Sequence, residues 1–63
     1  MYTVVFKNVG RRKETWSAKC EEITYDFMFR EVKKHGVMSN NIEFLGGVIF
    51  AGIHNIGTFD ILK

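Results

Sequence analysis

Thr24-Tyr25-Asp26-Phe27-Met28-Phe29-Arg30-Glu31-Val32-Lys33-Lys34-His35-Gly36 is the segment that decides the fold. Thr24 is a natural N-cap, because its side-chain oxygen can take one of the amide protons that the first helical turn leaves free. Asp26 follows in that turn, at the positive end of the helix dipole, and Lys33, Lys34 and His35 sit at the negative end. Ile23 before the cap and Met28 after it have the spacing of a hydrophobic staple. Tyr25, Met28, Phe29 and Val32 recur at i, i+3, i+4 and i+7 and predict one apolar stripe. Gly36 is a natural stop. Phe27 falls away from that stripe, beside Arg30, Glu31 and Lys34, which predicts either an exposed ring or a contact with a second chain.

Outward from the helix, both flanks read as strand. Tyr2-Thr3-Val4-Val5-Phe6-Lys7 is β-branched and aromatic, and Asn8-Val9-Gly10-Arg11 reads as the turn after it. Glu14 to Glu22 alternates, with Trp16, Ala18 and Cys20 on one face and Thr15, Ser17 and Lys19 on the other. The rival reading of that segment is a helix beginning near Ser17. Thr15, Trp16 and Ser17 in succession count against it.

Beyond the helix, Val37 to Asn41 reads as a loop and Ile42 to Leu45 as a short strand. Gly46-Gly47 between apolar runs marks a two-residue hairpin, whose favoured turn requires positive φ at both central residues. Val48 to Ile53 is apolar on both faces, which predicts a central strand. His54 to Gly57 reads as a reversal and Thr58 to Leu62 as the last strand.

The expected architecture is therefore α+β: one small domain spanning residues 1–63, in ββαβββ order. A five-stranded antiparallel sheet carries one helix packed on one face. Pairing of the first and last strands is expected, since it removes two long exposed edges. The second face is expected to carry some of Val5, Ile49, Ala51, Ile53 and Leu62. One helix cannot cover both faces, so either the sheet curls or a second chain covers it.

Composition supports that expectation. The chain has 63 residues, is 46% hydrophobic and contains six Phe, two Tyr and one Trp, a large apolar load for so small an interior. Small domains usually supplement their cores with disulfides, metals or oligomerisation. Cys20 is the only cysteine, so no internal disulfide can form. Cys20, His35 and His54 match no zinc-binding spacing, and neither a metal nor an organic cofactor is expected. Self-association as a homodimer is the remaining route, and Phe27, Ile49, Ile53 and Leu62 are the candidate protein-interface residues.

Other chemistries find little support. No nucleophile, base and orienting acid stand in a recognisable pattern, so no catalytic residue is assigned and an enzyme is not expected. Gly46-Gly47 and Gly52 lack the Lys-Ser/Thr that closes a phosphate loop. Net charge is +2, but residues 1–20 carry +4 and residues 21–63 carry −2. Arg11-Arg12-Lys13 concentrates the positive charge at a hairpin tip shortly before Trp16. Basic groups attract phosphates and an aromatic face can stack a base, so nucleic-acid contact through Arg11, Arg12, Lys13 and Trp16 is the alternative function. By strand parity Trp16 faces with Ala18 and Cys20, which favours the interior.

A lone cysteine, no signal-peptide pattern and no apolar run near the ~20 residues of a membrane span predict a cytoplasmic protein without membrane contact. The leading expectation is a small non-enzymatic protein-protein interaction or regulatory module that associates with itself or a protein partner. In size and in its single α+β plan the chain resembles small phage and prophage proteins.

Overall fold

The computed structural model describes residues 1–63. Its elements are β1 (Tyr2–Val9), β2 (Glu14–Cys20), α1 (Tyr25–Lys34), β3 (Ile42–Leu45), β4 (Val48–Ala51) and β5 (His54–Leu62). All five strands form one antiparallel sheet in the order β2-β1-β5-β4-β3, so the first and last strands do pair. No helix is long and apolar enough to cross a membrane.

α1 forms where its caps predict. Thr24 is extended (φ −120°, ψ 158°), and its Oγ1 accepts from the Phe27 amide at 3.1 Å. The amides of His35 and Gly36 close the far end on the carbonyls of Val32 and Lys33, each at 3.2 Å. Met28 and Val32 are buried and Phe29 is half-buried, while Tyr25 is exposed and donates its hydroxyl to the Ile42 carbonyl.

The sheet's register explains which residues meet the helix. Val4 pairs with Ala18 and Ile61, and Phe6 pairs with Trp16 and Phe59. Directly paired residues project to the same face. Val4, Phe6, Val9, Ile42, Ile49, Met28 and Val32 make the buried core, with Trp16, Phe44 and Phe59 packed around it.

Four boundaries differ from the sequence reading. β2 ends at Cys20, with Glu21 and Glu22 in the bend that leads to the Thr24 cap. β1 continues through Asn8 to Val9, which is fully buried, and Asn8 takes φ 54° at a register shift between Phe6 and Val9. The turn therefore lies one residue pair later, over Gly10 to Lys13. β4 ends at Ala51, and Gly52-Ile53 forms the turn. His54 to Gly57 is strand, not reversal, because a bulge there imitates turn chemistry. Asn55 pairs with Phe50 and Gly57 with Ile49, so Ile56 is the extra residue. Asn55 Oδ1 accepts from the Gly57 amide at 3.0 Å.

Two glycine sites are dictated by geometry. Gly46 and Gly47 have φ of 58° and 81°, as the tight β3–β4 hairpin needs. Gly57 is buried against β1, and a Cβ there would lie 2.8 Å from Val9 Cγ2 and 3.0 Å from Val9 Cα.

The assignment of residues to faces needs two corrections. Ile49 and Ala51, expected on the uncovered face, lie on the helix side among the core residues. Ile53 lies in the β4–β5 turn, on neither face. Val5 and Leu62 do lie on the uncovered face.

Candidate functional site

The face of the sheet opposite α1 has no element over it. β1 contributes Thr3, Val5 and Lys7 to it, and β5 contributes Thr58, Asp60 and Leu62. β3 and β4 add Glu43, Leu45, Val48 and Phe50, none of which belongs to the core cluster. Leu45 and Val48 are directly opposite each other, and Phe50 lies two residues along the strand from Val48. These three make one apolar patch, in which Leu45 is 70% exposed. Val5 and Leu62 are diagonal neighbours across β1 and β5 and make a second patch. Between the patches, Lys7 Nζ donates to Asp60 Oδ2 at 2.9 Å.

A different arrangement occupies the junction of the β1–β2 hairpin with the end of α1. Trp16 is stacked on Phe6, with ring centroids 4.6 Å apart, and on His35 at 3.6 Å. Its Nε1 donates to Glu31 Oε1 at 3.2 Å, and Lys34 Nζ donates to Glu31 Oε2 at 2.9 Å. The Glu31 side chain is only 12% exposed, so these two donors satisfy a carboxylate largely withdrawn from water. His35 Nδ1 lies 3.0 Å from Glu14 Oε1. The chain Glu14–His35–Trp16–Glu31–Lys34 clasps β2 to the helix end.

This clasp faces an open groove of about 1200 Å³. Lys7, Arg11, Arg12, Lys13 and Lys34 line the groove, against the single carboxylate of Glu14. Lys7 and Lys34 are already paired, to Asp60 and Glu31. Arg11, Arg12 and Lys13 are exposed and engage no carboxylate.

The predicted site residues thus separate. Leu62 is 53% exposed on the open face, and Ile53 is 91% exposed at a turn tip. Ile49 has no exposed surface and cannot meet a partner. Phe27 is half-buried and packs against the core, because the helix presents its Met28, Glu31, Val32 and His35 side to the sheet. That rotation brings Phe27 to the flank of the interface instead of its back. Trp16 is half-buried with a ring on each of its faces, so its stacking surface is spent inside the protein. Arg11, Arg12 and Lys13 do lie together at the hairpin tip, without it. Leu45, Val48 and Phe50 were not distinguishable as an outward patch, because their run reads as apolar on both faces.

Cys20 is half-buried and His54 exposed, and no group of three or more His, Cys, Asp and Glu is arranged to hold a metal ion. The chain matches no protein-family model, no curated protein and no solved structure.

Proposed function

We propose that this protein is a small non-enzymatic interaction module that acts as a homodimer, with the open face of its sheet as the self-association surface. The observation that carries this reading is the pairing of Leu45, Val48 and Phe50 into one patch on a face that the single helix leaves uncovered. Val5 and Leu62 extend the apolar area across β1 and β5. Contiguous apolar surface of this kind favours burial against a second chain.

The occupant is a second copy, because the interior is incomplete in a way that the chain itself can remedy. Only seven hydrophobic residues are buried, while 46% of the sequence is hydrophobic. The molecule's extents of 29 × 20 × 19 Å give a face of roughly 600 Å² in projection, approaching the ~800 Å² per partner of a standard interface. Stacking two such faces makes a layered α/β/β/α assembly in which each sheet is covered on both sides.

Light scattering on a sizing column tests the reading with wild type and the double variant Leu45→Asp/Val48→Asp. Wild type should run at twice 7.3 kDa in the micromolar range, and the variant should run at 7.3 kDa with unchanged circular dichroism. A wild type of 7.3 kDa at every concentration would refute the dimer. A variant that remains dimeric would move the interface elsewhere.

A further inference from the structure

The basic groove shares no residue with the open-face patches, though Lys7 and Thr58 lie on that face as well as in its lining, and it carries its own chemistry. Few of its lining residues are hydrophobic and it is open to solvent, unlike the enclosed, mostly apolar cavities that hold small molecules. No phenylalanine, tyrosine or tryptophan lines it. The one tryptophan nearby is closed on both faces by Phe6 and His35. The only aromatic ring in the lining is the His35 imidazole, which is already stacked on Trp16, so the groove has positive charge with little surface for base stacking.

Part of its charge is also unspent. Lys33, on the last helical turn, is occupied by the carbonyls of Met38 and Ser39 and by Asn40 Oδ1, at 3.0 to 3.2 Å. Lys7 and Lys34 neutralise Asp60 and Glu31. Arg11, Arg12 and Lys13 have no such partner, and they stand consecutively on a turn. The groove's only carboxylate, Glu14, is held by His35 at 3.0 Å.

We infer that this groove binds the phosphodiester backbone of single-stranded nucleic acid, through Arg11, Arg12 and Lys13 and without reading the bases. Arginine presents a planar fork of donors that matches phosphate oxygens, and two such forks followed by the Lys13 ammonium match a chain of repeating anions better than one isolated anion. A duplex is stiff and holds its phosphates on a fixed cylinder. A flexible single strand can follow the groove and bring successive phosphates to the three cations. With no phenylalanine, tyrosine or tryptophan in the lining, affinity comes mainly from charge and counterion release, so binding is weak, salt-dependent and indifferent to sequence.

Fluorescence anisotropy on the full chain tests this with labelled dT12, an abasic 12-mer and a 12-bp duplex. Three phosphate contacts on a single strand predict a slope of log affinity against log salt near about −2. That slope corresponds to roughly 20-fold weaker binding on going from 50 to 200 mM salt. The abasic strand should bind within about threefold of dT12. Arg11→Gln/Arg12→Gln should reduce the slope to below about −1 in magnitude, with unchanged circular dichroism, since both side chains are exposed. Absence of binding to dT12 at 50 mM salt would overturn the inference. So would an unchanged slope in the double variant, tighter binding to the duplex, or loss of binding to the abasic strand.

Discussion

The two faces of the sheet are built from the same strands, yet they belong to different environments. Along β1, Val4 and Phe6 have no exposed surface, while Val5 between them is half-buried and Lys7 is exposed. Along β4, Ile49 is fully buried, while Val48 and Phe50 on either side of it are only partly so. Lys7 aside, nothing in the intrinsic strand preference of these residues separates the two sets. The helix does, by covering one set with Met28 and Val32. Apolar character therefore states what a residue prefers, and the covering element decides whether that preference is met.

The largest effect that can break this contrast is on the covered face. Phe6→Ala should cost about 3–5 kcal/mol, because it opens a cavity between Val4, Trp16 and the helix. That is a large part of the stability of any small domain, so urea unfolding should show the variant largely unfolded without denaturant. Retention of a wild-type urea midpoint would mean that the core is not where the burial pattern puts it.

Gly57→Ala comes next, at about 1–3 kcal/mol, since the added methyl must displace Val9 and the β1 backbone. A shift in thermal midpoint reads it. A neutral result would contradict the close approach of β5 to β1.

His35→Ala should cost about 1 kcal/mol through loss of the ring stack and of the Glu14 contact. It also uncovers one face of Trp16, so tryptophan emission should move to longer wavelength in the folded variant. Unchanged emission would show that His35 does not shield the indole.

The smallest effect is on the open face. Leu45→Ser should change the unfolding free energy of the dissociated chain by less than about 1 kcal/mol, since Leu45 is 70% exposed in the single chain, measured well below the dimer dissociation concentration. A cost comparable to that of Phe6→Ala would mean that the two faces are equally buried, and would remove the contrast.

Much of the fold could be read from the residues. The cap at Thr24, the stop at Gly36 and the Gly46-Gly47 hairpin each state a local geometry that no distant contact overrode. The β1–β5 pairing followed from the cost of open edges. The bulge at Asn55-Ile56 was hidden because asparagine and glycine signal a turn as readily as a bulge. Which face Ile49 takes was also hidden, since a run apolar at every position has no period-two signal. The clasp among Glu14, Trp16, Glu31 and His35 joins elements up to 21 residues apart, and only the packing of α1 on the sheet brings them together. Of the candidate sites, the basic tip was visible as a charge cluster. The open-face patch needed the register of β3 and β4 to reveal it.

Methyl NMR on a dilution series tests the central claim most directly, because it reports each face separately in one sample. From millimolar to low micromolar protein, the methyl resonances of Leu45, Val48, Val5 and Leu62 should shift together along one binding curve. Those of Val4, Val9, Val32, Ile42 and Ile49 should stay fixed. Open-face resonances that do not move with concentration, or a curve carried by methyls elsewhere on the molecule, would contradict the assignment of that face to a second copy.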